Sequence, residues 1–398
     1  MESRLTWLDL TSGDRNRMRR VLDLFKERGT LDEMGLGGLR DGIADVLFPG
    51  TSTLHTRLRY VLFVPWIYQS IEKSDARAGI GSRVREQEIR LIRQLRACED
   101  HDGIIGARSG ASLARLPSNV YWSALQRWGI FLHARSQPWY HTHFISLQAK
   151  RSSAKVADDP GTTRIVRPNW NPRIPVPPKN FPETASFALT REEAEFLQGR
   201  IEETCAGSLL AWHAREYPPE TSRLWETRAR FDAPHDLKAV IELADRFSRH
   251  VEGMPLLYNL MLAEYKQAIA GSDGDYVDAL QKKVQEWANL EKNKPPFNPN
   301  QLWEFANEHV IRTWPKQREF IHSWSRRLAA INHSEVSDDN ELRRLVKARE
   351  MSLKGHRSRF RNKSRLLDWQ PGAGVDRMGF RWFHVKRLLR DLHDGLKA

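Results

Sequence analysis

Apolar residues recur along most of this chain at the three- and four-residue spacing of an α-helix. Residues 118–132, for example, place Tyr121, Trp122 and Leu125 on one face, and a helix buries such a stripe. Similar patterns predict helices at 12–27, 36–47, 53–70, 82–97, 190–206, 233–270, 273–292, 300–312, 314–331 and 380–394.

Helix-start signals support this pattern. Thr190 and Glu193 have the spacing of a capping box, and the polar residues 337–340 are typical of another helix start. Strand signals are restricted to 144–147 and 164–166. The predicted fold class is therefore mainly α, with two helical domains and few short strands.

A proline-rich stretch interrupts the helical pattern. Seven prolines lie between 160 and 182, a density that no helix tolerates. We predict an extended connection at 159–182 between an N-terminal helical domain, 1–158, and a C-terminal helical domain, 183–398. The alternative is an ordered surface segment within one domain.

Hydropathy and cysteine content exclude several classes of protein. The longest apolar stretch, 60–68, is too short to span a bilayer, and the N-terminus lacks the apolar core of a signal peptide. The two cysteines, Cys98 and Cys205, are too few for a disulfide scaffold or a four-cysteine zinc site. We expect a cytoplasmic protein with no membrane partner and no cofactor.

Charge is segregated along the sequence. The whole chain carries a net charge of +13, but residues 183–337 carry −5 and residues 338–398 carry +8. Ten lysines and arginines fall within 343–365, here called the basic segment, and Glu350 is its one carboxylate. This segregation indicates an anionic partner for the basic end of the chain.

The basic segment is the candidate site. Its second half alternates cations with serine, asparagine and one aromatic residue, Phe360, a mixture suited to phosphate backbones and bases. A smaller patch follows a Gly50 turn rich in hydroxyl groups, which could bind an anion at a helix start or simply cap a helix. The predicted nucleic-acid-binding residues are Lys354, Arg357, Arg359, Arg361, Lys363, Arg365, Arg57 and Arg59. A solvated face and a surface for an acidic protein remain alternatives.

Catalytic and metal-binding patterns are weak. His384, Lys386 and Asp391 match HxKxxxxD, a phosphodiesterase pattern, but the match is single and lies on a predicted helix. His141 and His143 lack further ligands at matching spacing. We predict no catalytic and no metal-binding residues.

Several sequence blocks resemble a bacterial family of unknown function. The blocks near the C-terminus are Arg381-Trp382 and Asp391-Leu-His-Asp-Gly-Leu396. Those in the N-terminal part are Trp7-Leu-Asp9, Val21-Leu-Asp-Leu-Phe-Lys26, Asp32-Glu-Met-Gly-Leu-Gly37, Arg40-Asp-Gly-Ile-Ala-Asp45, Leu47-Phe-Pro-Gly-Thr-Ser52, Arg57-Leu-Arg-Tyr60 and Phe63-Val-Pro-Trp-Ile-Tyr68. Members of that family tend to be encoded in phage-defence islands near helicases and phospholipase D-like nucleases. The resemblance implies a role in anti-phage defence and supplies no catalytic residues.

These observations lead to three functional hypotheses. The first is a non-catalytic, nucleic-acid-binding subunit of a multi-protein defence system, with DNA the favoured ligand and a helicase or nuclease as protein partner. The second is a protein–protein scaffold of such a complex without nucleic-acid contact. The third is a divergent metal-dependent nuclease, for which carboxylates such as Asp41 and Asp45 would be candidates.

Overall fold

The computed structural model describes residues 32–74, 79–155, 168–216, 220–271, 274–370, 372 and 375–398. Within these residues there are fifteen α-helices and no strand beyond an isolated antiparallel bridge between Phe131 and Trp170. The mainly α fold class is confirmed. No helix of the described residues is long and apolar enough to cross a membrane.

The helices are numbered in chain order. The first eight are α1 (Gly37–Leu47), α2 (Tyr60–Lys73), α3 (Ile80–Leu95), α4 (Pro117–Arg127), α5 (Gln137–Lys155), α6 (Arg191–Thr204), α7 (Leu209–Arg215) and α8 (Ala229–Asp232). The others are α9 (His235–Ala270), α10 (Gly274–Lys292), α11 (Pro299–Glu308), α12 (Pro315–Ala330), α13 (Asn340–Lys354), α14 (Lys363–Leu367) and α15 (Trp382–Lys397).

Local chemistry explains where several helices begin. The Thr190 hydroxyl accepts a hydrogen bond from the Glu193 backbone N–H at 3.3 Å, and the Glu193 carboxylate accepts one from the Thr190 N–H at 3.1 Å. This is the predicted capping box at the start of α6. Asp339 caps α13 by accepting from the Leu342 N–H at 2.8 Å. Prolines occupy the first position of α4, α11 and α12, where a missing N–H costs nothing.

One sequence prediction of local structure is wrong, and one that left two alternatives open is decided. The strand predicted at 144–147 is wrong, because these residues lie within α5, where Tyr140 and Phe144 are buried one helical turn apart. Residues 233–270 were predicted as one long or two broken helices, and α9 runs unbroken through Gly253 and Pro255. The predicted helix at 12–27 and strand at 164–166 lie outside the described residues.

The chain forms two compact units. Unit 1 comprises the described residues of 1–43 and 243–380, and unit 2 those of 44–242 and 381–398. The described part of the proline-rich stretch, 168–182, belongs to unit 2, as do the residues on both sides of it. There the Trp66 indole N–H donates to the Pro175 carbonyl at 2.7 Å, and the Asn171 N–H donates to the Ile130 carbonyl at 2.8 Å.

Each unit has its own apolar core. Unit 1 buries side chains from α9, α10, α12 and α13, among them Phe247, Trp287, Trp324, Leu342 and Val346. Unit 2 buries nearly all of the apolar run from Tyr60 to Tyr68, together with Trp128 and the inner face of α15. Burial of this size is the main force that orders the helices.

Candidate nucleic-acid interface

The basic segment changes its backbone direction at the end of α13. Gly355 has a positive φ of 54°, a conformation that glycine adopts most readily, and a single 3₁₀ turn follows at Gly355–Arg357. The chain then turns into α14, whose start is capped by the Asn362 side chain accepting from the Arg365 N–H at 3.1 Å. This path places consecutive cations in different surroundings.

A buried carboxylate holds the turn. Glu350 is fully buried and accepts hydrogen bonds from the Ser358 hydroxyl, from the Arg359 backbone N–H at 3.0 Å and from the Tyr258 hydroxyl at 3.3 Å. A buried carboxylate needs such partners, because an unpaired charge away from water is very unfavourable. Glu350, the one carboxylate of the basic segment, is therefore its anchor.

Two of the predicted binding residues point into unit 1. Arg359 donates to Glu33 at 2.8 Å and to the Tyr258 hydroxyl at 2.7 Å, and Lys354 forms ion pairs with Glu33 and, at 3.6 Å, with Glu350. Burial alone would raise the pKa of Glu33, but hydrogen bonds and charges from Lys354 and Arg359 lower it. The charges of Lys354 and Arg359 are thus used within the protein.

Phe360 also faces inward. Its ring packs edge-on against Tyr258 and Tyr265, with centroid distances of 5.7 and 5.6 Å. Together with Arg359, it attaches the segment to helix α9. A ring used in this way fixes the segment rather than offering a free stacking surface.

Four predicted binding residues remain on the surface. Arg357, Arg361, Lys363 and Arg365 are exposed, and none forms an ion pair with another described residue. They lie on the same short stretch that Glu350, Ser358 and Phe360 hold in place. We call these four residues the outer cations.

Arg57 and Arg59 do not form a second surface patch. Both are buried in unit 2, where Arg57 pairs with Asp100 and, at 3.0 Å, with Asp391, while Arg59 pairs with Glu193 at 2.7 Å. The Gly50 turn does not begin a helix either, because α2 starts at Tyr60. The Thr51 hydroxyl donates to the Phe48 carbonyl at 2.7 Å, so it closes the turn.

The histidine pair and the HxKxxxxD residues identified in the sequence form structural contacts. The His141 ring hydrogen-bonds to the Tyr68 hydroxyl at 2.7 Å, and His143 to the Trp139 carbonyl at 2.9 Å. No group of three or more His, Cys, Asp or Glu side chains in the described ranges could hold a metal ion. The HxKxxxxD residues lie on α15 as predicted, and there Asp391 serves the pair with Arg57.

One further group of polar side chains in the structure has no counterpart among the sequence motifs. His250, Glu291 and Ser325 come from three different helices of unit 1 and form a continuous hydrogen-bonded row. Their separations of 41 and 75 residues carry no signal that spacing analysis could detect.

The fold and the site define a mainly α-helical protein of two units, one of which presents an ordered basic segment. The chain belongs to a family of unknown function, DUF6361, whose family model matches residues 2–395. This match confirms membership of an uncharacterised family over nearly the whole chain. No curated protein and no solved structure matches the chain significantly.

Proposed function

We propose that this protein binds nucleic acid, with DNA the favoured form, through the outer cations of the basic segment. The observation that carries the proposal is the division of the segment. Its inward cations are neutralised by Glu33 and Glu350, while Arg357, Arg361, Lys363 and Arg365 stay exposed without an ion-pair partner in the described chain.

Physical chemistry favours a polyanion as the ligand of such a surface. Each cation that neutralises a phosphate releases condensed counterions, which is the main source of sequence-independent affinity. A segment held by buried hydrogen bonds loses little conformational entropy on binding. Four unpaired cations on a fixed stretch are thus better suited to a phosphate backbone than the same charges on a mobile tail.

The wider role rests on the family resemblance. We infer a cytoplasmic subunit of a multi-protein bacterial anti-phage system that works with a helicase or nuclease partner. The stretch 183–337, with its net charge of −5, is the candidate part of the chain for contacts with that protein partner. Phage plating with and without the gene, followed by co-purification with neighbour-encoded proteins, tests this role.

The first prediction concerns the outer cations. The triple variant R357Q/R361Q/K363Q should bind labelled DNA more weakly and reduce the slope of log affinity against log salt by about 2 to 3, because each lost phosphate contact removes about 0.7 to 0.9. Fluorescence anisotropy with duplex DNA, single-stranded DNA and RNA measures both quantities. Arg359 is left unchanged because its loss would deprive the buried Glu33 carboxylate of one of its positive partners.

A matched control separates a specific surface from overall charge. The variant K282Q/K283Q/K294Q removes three exposed lysines from the same unit but from outside the basic segment. It should bind like the native protein. Equal losses in both triple variants would contradict the proposal, and so would a native protein that binds no nucleic acid at physiological salt.

The same triple variant tests the scaffold hypothesis when it is co-purified with neighbour-encoded proteins. If the outer cations meet an acidic protein, the complex with a neighbour-encoded partner survives nuclease treatment and is lost in R357Q/R361Q/K363Q. That result, together with an absence of nucleic-acid binding, would replace the nucleic-acid proposal with the scaffold.

A further inference from the structure

Three side chains in unit 1, a carboxylate, an imidazole and a hydroxyl group, form a hydrogen-bonded row in that order. His250 on α9 hydrogen-bonds through Nδ1 to Glu291 Oε1 on α10 at 2.8 Å and through Nε2 to Ser325 Oγ on α12 at 2.8 Å. A serine, a histidine and a carboxylate in this order are the arrangement that activates a hydroxyl group for nucleophilic attack. Such arrangements are recognised by geometry and not by order in the sequence.

The direction of the hydrogen bond between His250 and Glu291 follows from the charge of Glu291. Burial alone would raise the pKa of Glu291, but His250 and Arg249 lower it below its usual value, so the carboxylate is ionised at neutral pH. An ionised carboxylate only accepts, and a neutral imidazole that donates from Nδ1 must accept at Nε2. With a neutral His250, the Ser325 hydroxyl therefore donates to Nε2, the orientation in which the imidazole removes the hydroxyl proton.

The base is held rigidly. His250 is 3% exposed and stacks on Phe297 with a centroid distance of 4.7 Å. Glu291 is fixed by a second contact, from Arg249 Nε at 3.2 Å. Ser325, in contrast, is only half-buried, so that the hydroxyl end of the row is the end nearest to solvent.

We propose that Ser325 is a catalytic nucleophile that accepts an acyl group from a small carboxylic ester, with His250 as its base and Glu291 as a positioning residue. The Ser325 Oγ forms a bond to the ester carbonyl carbon as its proton passes to His250 Nε2. The bond to the leaving alcohol then breaks, and His250 returns the proton to that alcohol. Water completes the cycle through the same base and releases the acid.

The choice of a carboxylic ester follows from the row itself, because a carboxylate, a histidine and a serine linked in this order are the arrangement that transfers acyl groups. The proposal is independent of nucleic-acid binding by the basic segment.

The protein contains its own control. Ser323 lies two residues away on α12 and is half-buried like Ser325, but its sequence position turns it to a different side of the helix. In the full-length protein, a fluorophosphonate probe and p-nitrophenyl acetate should modify Ser325 about a hundred-fold faster than Ser323, the effect expected of a general base. Peptide mass spectrometry over time measures both rates.

Two variants complete the test. S325A should abolish the fast modification, and E291Q should lower the rate at Ser325 while leaving Ser323 unchanged. A purely structural role of Glu291 would alter both serines together, because loosening of the helices exposes both. Equal and slow modification of the two serines in the native protein would overturn the proposal.

Discussion

Lys354 and Arg357 lie three positions apart, yet their charges serve different purposes. Lys354 is bound to Glu33 and Glu350, while Arg357 is exposed. The difference arises from the buried Glu350, which draws Lys354, Ser358 and the Arg359 backbone toward itself. At the residue scale, the positions of buried carboxylates decide which cations remain available for a partner.

Glu88 shows how a buried carboxylate also affects stability. It lies fully buried on α3 and accepts hydrogen bonds from the Ser118 N–H at 2.6 Å and the Ser118 hydroxyl at 2.9 Å. Burial outweighs these bonds and raises its pKa to about 7. Because the folded protein holds the proton more tightly than the unfolded chain, folding becomes less favourable as the pH rises from about 4.5 to 7.

The second prediction follows from this shift. In E88Q the residue no longer titrates, so the stability of the variant relative to the native protein should increase between pH 5 and pH 8, by up to about 3 kcal/mol. Urea unfolding at a series of pH values gives the difference. E86Q, on the exposed side of the same helix, controls for the loss of one charge, and a relative stability of E88Q that is constant with pH would contradict the prediction.

At the scale of elements, local capping chemistry predicts where several helices begin, whereas tertiary packing explains why one helix continues through a glycine. Thr190 and Asp339 start α6 and α13 as their side chains predict. Helix α9 instead passes through Gly253, a residue that weakens a helix interior. The reason lies in packing, since a Cβ at Gly253 would come within 2.3 Å of the Trp287 ring.

This close approach gives the third prediction. G253A should destabilise the protein by about 1 to 3 kcal/mol, because the added methyl group overpacks a buried ring. G199A, in the interior of α6, meets nothing within 4 Å and should stabilise by up to about 1 kcal/mol. Thermal and urea unfolding of both variants measure the two changes. Stabilisation by G253A as well would show that Trp287 does not restrict this position.

At the scale of the whole molecule, residues far apart in the sequence meet inside each unit. In unit 1, Glu33 pairs with Arg359. In unit 2, Arg57 and Asp391 form a buried pair 334 positions apart, and the Leu58 N–H donates to Asp391 at 2.8 Å. Burial raises the pKa of Asp391 even though Arg57 and the backbone oppose this. The final helix is therefore an integral part of unit 2.

The fourth prediction tests this contact. D391A should destabilise the protein by about 3 kcal/mol, because it leaves the buried Arg57 without its main partner. D394A removes an exposed carboxylate three residues further along α15 and should change stability by less than about 0.5 kcal/mol. Urea unfolding compares the variants, and equal effects would show that the pair does not stabilise unit 2.

The sequence by itself determined the helical class, most helix positions and the location of the basic segment. These properties depend on neighbours within a few residues, such as the Thr190 capping box, the apolar stripe of α4 and the cations of 343–365. It did not reveal that 144–147 is helical, because a short apolar run suits a strand equally well.

Only the tertiary structure decided which polar residues face each other. It buried Arg57 and Arg59, turned Lys354 and Arg359 inward, and brought Ser325 to His250 and Glu291. The physical reason is that pairing of buried charges depends on distance in space, and residues hundreds of positions apart leave no local pattern from which that distance can be read.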